Sequence, residues 1–348
     1  MTGAAGAYLA SSGIESATAQ ALQPDSPAQR RDVRVAGKRL RVVDVHAHAT
    51  IQEVADVLKG TPLERYAQGG RALGPDRIQE MDKRGIDVQA LDINTFWWYA
   101  ADRDLATKIV QVHDEGLAKW CKAHSDRFVA FTSPALQFPD LAAEQVEYAV
   151  KTLGMRGVAI GGHVAGEPLS MPKYDPFWAK VQDLGVLVFM HPNGAENVAK
   201  ADAFAGAGDL GNIIGNPLET ALFLTHLIFD GTLDRFPQLK VCGSHAGGYL
   251  PSYLGRTDVA CDVRPNAKCM NKKHPREYLH EQIIADSMVF SAEGIRHLVA
   301  EMGPSQVVYG TDIPLVWPDT IDVILAAEIP APQKEAILGG NLVKLLKL

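Results

Sequence analysis

Long apolar runs are missing from this chain of 348 residues. No stretch reaches the roughly 18 apolar residues of a membrane-spanning helix, so no membrane partner is expected. Cysteine is scarce as well. The four present (Cys121, Cys242, Cys261 and Cys269) include no CxxC pair and are not a disulfide framework in a chain of this length. An excess of positive charge is lacking: 34 Lys and Arg stand against 41 Asp and Glu, for a net charge of −7. That balance carries no electrostatic footprint for nucleic acid. Disorder as the dominant state is excluded too, because 47% of residues are apolar and only 22% charged. What these absences leave is an acidic, soluble, globular chain, expected to be cytoplasmic.

The first 37 residues differ from the rest. Ala, Gly and Ser dominate as far as Ala21, followed by the linker-like Pro24-Asp25-Ser26-Pro27. Ala17-Thr18-Ala19 has the small-residue spacing of an export cleavage site, but no basic n-region precedes it. Residues 1–37 therefore read as a flexible N-terminal arm. The alternative is a signal remnant whose basic start is missing, which would imply periplasmic export.

From Arg39 onward, short continuous apolar runs alternate with stretches of helical period. The runs are Val42–Val45, Val88–Ile93, Phe128–Phe131, Gly157–Ile160, Val186–Met190, Leu239–Cys242, Met288–Phe290 and Val307–Tyr309. Continuity rather than alternation suits parallel strands buried on both faces. Helices are expected over Pro75–Arg84, Arg103–Ala123, Leu141–Thr152, Pro176–Leu184, Leu218–Phe229, Pro275–Ile284 and Ala292–Met302. Eight strands each followed by a helix predict an α/β fold, a (β/α)8 TIM-like barrel over residues 38–348. A doubly wound open sheet is the alternative, but it would place a glycine-rich turn after the first strand, where His46-Ala47-His48 stands. Gly208 to Gly215 lacks the GxGxxG order and reads as a loop or lid rather than a phosphate cradle.

Chemistry in such a barrel sits at the C-terminal ends of the strands. The first predicted strand ends in His46-Ala47-His48, the fifth in His191, the sixth in Ser244-His245 and the eighth in Thr311-Asp312. Residues two apart on a strand face the same side, so His46 and His48 can converge on one ion. Imidazoles and a carboxylate are ligands for Zn(II) and related divalent metals. Strand 4 ends in Gly161-Gly162-His163, and His163 reads as a buried histidine bonded to backbone, with a ligand role as the alternative.

Several segments together resemble the amidohydrolase superfamily, in its aminocarboxymuconate-semialdehyde decarboxylase-like branch of metal-dependent decarboxylases. They are Val43-Asp44-Val45-His46-Ala47-His48, Arg77 to Asp82, Gly157 to His163, His191-Pro192, Phe236 to Val241, His245-Ala246-Gly247-Gly248, Gly255-Arg256 and Gly310-Thr311-Asp312. The resemblance implies one divalent metal, Zn before Mn, held by His46, His48, His191 and Asp312. It makes His245 the acid/base beside the metal, with Asp312 also at the catalytic centre. It implies a homodimer in which Arg256 reaches a substrate carboxylate in the neighbouring site, and a second arginine, assigned to Arg71 with Arg65 as alternative. Without the resemblance, an ion pair of Arg256 with Asp258 or Asp262 has equal standing. The superfamily's bridging lysine at the end of strand 4 is missing, which favours a single metal.

Asn193 stands where the family often has tryptophan, while Trp97, in the Phe96-Trp97-Trp98-Tyr99 cluster, could wall a planar substrate. The implied activity is non-oxidative decarboxylation of an unsaturated or aromatic carboxylic acid, such as a hydroxybenzoate or muconate semialdehyde. The alternative is metal-dependent hydrolysis of a lactone, amide or C–C bond at the same rim.

Overall fold

The computed structural model describes residues 30–67, 72–93, 97–192, 195, 198–200 and 202–348. Eight parallel strands follow one another in chain order: β1 (Val43–His48), β2 (Val88–Asp92), β3 (Phe128–Thr132), β4 (Gly157–Ile160), β5 (Leu187–Met190), β6 (Lys240–Gly243), β7 (Ile283–Asp286) and β8 (Val307–Val308). A bridge between Ala47 and Ile313 joins the two ends of the series. Backbone bonds from Val45 N–H to the Tyr309 carbonyl, Asp312 N–H to His46 and His48 N–H to Ile313 complete the seam and close the barrel.

The intervening helices are α1 (Pro75–Arg84), α2 (Arg103–Ala123), α3 (Pro139–Lys151), α4 (Asp175–Leu184), α5 (Asn216–Phe229), α6 (Pro275–Glu281) and α7 (Ala292–Met302). Local signals explain their ends. The Asp102 side chain accepts from Leu105 N–H at the start of α2, and Ser291 accepts from Gly294 N–H at the start of α7. Proline occupies the first turn of α1, α3 and α6, where its missing N–H is no loss. Gly85 terminates α1 with φ 84°, a left-handed position where a Cβ would also press into Val33.

The seventh strand is a correction. Met288–Phe290 is not that strand but part of the turn that follows it, and Phe290 has φ 50°. The strand is Ile283–Asp286, so α6 stops at Glu281 rather than running to Ile284. The β-branched pair Ile283-Ile284 is buried in register with Val241 and Cys242, an environment that favours a pleated backbone over another helical turn.

The N-terminal arm lies outside the described residues as far as residue 29. Its last part packs on the barrel: Val33 and Val35 are buried, and a small hairpin pairs Arg34–Val35 with Lys38–Arg39. Two of the four cysteines, Cys261 and Cys269, form a disulfide across a separation of eight residues. The absence of a CxxC pair gave no sign of that single link. Cys242 lies within the barrel, as its place in a buried strand implies.

Inside the barrel, Val43, Val45, Phe131, Leu187, Phe189 and Ile284 belong to a packed core of their own. Burial of each such side chain is worth about 1.5–3 kcal/mol relative to exposure. The last helical segment, α8 (Asn341–Leu345), contributes Leu342 to this core, with Leu346 just beyond it. The approach is made possible by Gly339, where a Cβ would stand 1.9 Å from the Arg41 carbonyl oxygen. Gly339→Ala should therefore force backbone displacement and cost roughly 1–3 kcal/mol. Calorimetry should show a Tm lowered by several degrees, and an unchanged Tm would refute this account of the close approach.

Candidate metal centre

A bulge in β1 aims the first two histidines. Val43 and Val45 face the barrel interior, and simple alternation would turn His46 outward. Between Asp44 and Ala47 the pairing with β2 shifts by one residue, and Ala47 joins the outer core instead. His46 and His48 thereby face inward, with ring centroids 4.9 Å apart. The buried Asp44 carboxylate holds this irregular backbone. Its Oδ1 accepts from His46 N–H (3.0 Å) and Thr311 N–H (3.1 Å), and its Oδ2 from Thr311 Oγ1 (2.6 Å) and Gln89 Nε2 (2.9 Å). Buried Arg77 donates to the His48 carbonyl from α1.

Five rim side chains converge. Ligand atoms of His46, His191, His245 and Asp312 all lie within 4.8 Å of one another. Asp312 Oδ1 is also 3.0 Å from His48 Nε2 and 3.2 Å from His46 Nε2. Both ring nitrogens of His191 are buried without a hydrogen-bond partner among the described residues. Buried polar atoms are ordinarily paired, and a divalent cation supplies the missing partner for a set of imidazoles and a carboxylate. The residues present fit such an ion.

Two further aspartates orient two of the histidines. His46 Nδ1 lies 2.7 Å from Asp286 Oδ2, and His48 Nδ1 lies 2.6 Å from Asp92 Oδ1. Donation through Nδ1 fixes each tautomer so that Nε2 carries the lone pair toward the centre. Neither aspartate stands out in the sequence alone. Asp286 was hidden by the misplaced seventh strand, and Asp92 by its position inside an apolar run. The usable signal was an acidic residue at the C-terminal end of a strand, the same one that marked Asp312.

Burial opposes charge throughout the cluster, and its neighbours decide the outcome. Burial alone would lower His46, but Asp312 and the bond with Asp286 raise its pKa well above the ordinary 6.5. Burial likewise works against His48, yet Asp92 and Asp312 raise it. Burial would raise Asp312, whereas His46 and His48 hold it far below the usual carboxylate range. Burial, then the charge of His46, pushes His245 down to about 4, so it is neutral near pH 7. His191 is lowered by burial and by the three other histidines.

The remaining predicted residues divide. Trp97 lies at the rim: its Nε1 donates to the His191 carbonyl (3.2 Å), and its ring packs on Gly161 beside Tyr99. Arg256 is exposed, and no ion-pair partner stands beside it among the described residues; Asp258 pairs with Arg276 instead. Arg65 stacks on Tyr66. His163 accepts from Gly166 N–H through Nδ1, a backbone role outside the cluster. Arg71 and Asn193 lie outside the described residues.

A closed β/α barrel with a buried His/Asp cluster at the C-terminal ends of its strands defines a scaffold fit for a divalent metal. The amidohydrolase family profile matches residues 43–348, and the chain belongs to that family. A 2-amino-3-carboxymuconate-6-semialdehyde decarboxylase of Dictyostelium discoideum is 30% identical over 280 residues, covering 79% of this chain and 77% of the relative. A gamma-resorcylate decarboxylase of Rhodococcus jostii is 30% identical over 286 residues, covering 77% and 84%. Among solved structures, a manganese-bound 5-carboxyvanillate decarboxylase from Novosphingobium aromaticivorans superposes with a TM-score of 0.81 at 25% identity, over 91% of this chain and 99% of the other.

Protons compete with the metal for His46 and His48, whose pKa values lie above 6.5 in the metal-free protein. A raised histidine pKa means that protons are retained to higher pH, so metal loading is lost as pH falls. Chelator competition should show Mn(II) binding at about pH 6 weaker by about tenfold or more than at about pH 8. Equal affinity at both would contradict this linkage.

Proposed function

We propose that the chain is a metal-dependent, non-oxidative decarboxylase of an unsaturated or aromatic carboxylic acid of the hydroxybenzoate or muconate-semialdehyde type. The observation that carries the reading is the convergence of His46, His48, His191, His245 and Asp312 in a chain whose relatives are decarboxylases. A 2,6-dihydroxybenzoate decarboxylase bound to 2,6-dihydroxybenzoate, at a TM-score of 0.77 and 26% identity, supports an aromatic acid. His46, His48, His191 and Asp312 would hold one divalent cation. The histidine-rich set suits Zn(II), and the manganese-bound relatives support Mn(II) as the alternative.

Bound there, the cation supplies Lewis-acid polarisation of a substrate oxygen. This chain's residues do the rest. His245 handles the proton at the carbon that loses its carboxylate: the C–C bond breaks, CO2 departs, and a C–H bond takes its place. Trp97 would wall the planar substrate, and Asn193 is kept as a substrate-binding candidate. Arg71, and Arg256 of a second copy, would grip carboxylates through paired charge-assisted bonds.

The homodimer this requires has a candidate face. Ile214, Leu218, Leu222, Tyr249 and Tyr253 line an apolar groove of about 560 Å³ that reaches Thr257, next to Arg256. Val259, Val263 and Met270 are exposed large apolar residues of the following segment. The chain is expected to be cytoplasmic, and the Cys261–Cys269 disulfide is an observation that supports the export alternative.

His245→Ala should keep its metal and lose at least 100-fold in kcat, read by metal analysis beside a CO2-release assay. Loss of the metal would make His245 a ligand and overturn the role given to it. A screen of hydroxybenzoates and muconate semialdehydes should yield CO2; activity confined to lactones or amides, with water added to the product, would select the hydrolase reading. Sedimentation should show a dimer, and a strictly monomeric active enzyme would refute the role of Arg256.

A further inference from the structure

Asp286 ends β7, is fully buried, and accepts from donors on three sides. Its Oδ2 lies 2.7 Å from His46 Nδ1 and 3.1 Å from His245 backbone N–H. Its Oδ1 lies 2.8 Å from Ala246 N–H and 3.2 Å from Met288 N–H. The turn it grips is unusual. Residues 245 to 248 all have positive φ: 52° at His245, 60° at Ala246, 70° at Gly247 and 63° at Gly248. Glycine adopts such angles freely, whereas His245 and Ala246 do so only when the surroundings hold them. Within this turn, the two amides held by Asp286 are those of the two non-glycine residues.

We infer that Asp286 is a positioning residue that couples the metal face to the proton-handling turn. One carboxylate orients the His46 imidazole and locks the left-handed backbone that presents His245. Asparagine cannot replace it. All four partners are donors, and an asparagine offers a single acceptor oxygen while turning its NH2 against two N–H groups. The loss is then felt on both sides of the centre: His46 loses its orienting acceptor, and the His245 turn relaxes. Asp92, bonded to His48 alone among the metal-facing groups, has no comparable link to the turn.

The inference rests on the metal-site half of the proposed function and not on the choice of substrate. In the full-length Asp286→Asn protein, the Mn(II) dissociation constant measured by chelator competition should rise about 10–100-fold. The visible spectrum of the Co(II)-loaded protein should change with it, and kcat should fall. Adding Ala246→Gly should restore part of kcat while leaving metal affinity as weak as in the single variant, because glycine holds φ 60° unaided. A merely structural role would not split the two readouts in this way. Unaltered metal affinity in Asp286→Asn, or no recovery of kcat on adding the glycine, overturns the inference.

Amide exchange puts the same question to the unaltered protein and is independent of whether Asp286→Asn folds. The His245 and Ala246 amides should exchange far more slowly than that of Val316, whose side chain is 98% exposed. Exchange as fast as that of Val316 overturns the inference too. If the wild-type protein turns over none of the candidate acids, the substrate reading fails, and the affinity and exchange measurements still judge Asp286.

Discussion

Backbone hydrogen bonds from Asp312 N–H to His46 and from His48 N–H to Ile313 do two things at once. They supply the pairing that turns an eight-stranded sheet into a barrel, and they bring two histidines against an aspartate 264 positions away from His48. The bulge in β1, a register shift against β2, lies on the same stretch of strand and faces His46 and His48 inward. Asp44 clasps both sides through His46 N–H and Thr311. Scaffold and site share these bonds, so a change that loosens closure also disperses the clustered side chains.

Electrostatics follow from that geometry. Three buried aspartates, Asp92, Asp286 and Asp312, each stand against a histidine nitrogen. A buried carboxylate is costly unless paired, and here the pairing also sets tautomers and leaves lone pairs facing one point. The net charge of −7 is thus no guide to the interior. An acidic molecule contains one buried place where four imidazoles gather around carboxylates, and that place is the proposed cation site.

Much of this was legible in the sequence, for physical reasons that differ by element. Helices α1, α2 and α7 were readable to their end residues because proline, an N-cap side chain and glycine mark their limits. The clustering of His46, His48, His191, His245 and Asp312 was readable because a histidine or aspartate that closes an apolar run is desolvated at a cost that only a partner at the rim offsets. The seventh strand was not, since Ile283-Ile284 continues the helical period of α6 and only its neighbours Val241 and Cys242 decide between helix and strand. Asp286 was lost with it. The bulge was equally hidden: His46 and His48 do share a face, but that this face is the interior depends on a register shift no spacing rule records. The disulfide depends on a loop bringing Cys261 and Cys269 to a Cα separation of 6.0 Å.

The packing of α8 under the barrel has a consequence for how the chain is made. Leu342 and Leu346 belong to the same inner core as Val43 and Val45, so the floor of the barrel leaves the ribosome long after the first strand. Until it does, the first strand has neither its closing partner nor the side chains beneath it. Contacts of such sequence separation form slowly, and a nascent chain exposes its unfinished strand edge to other chains meanwhile. A stalled or C-terminally shortened product would then present His46 and His48 without Asp312, a half-built site open to adventitious metal.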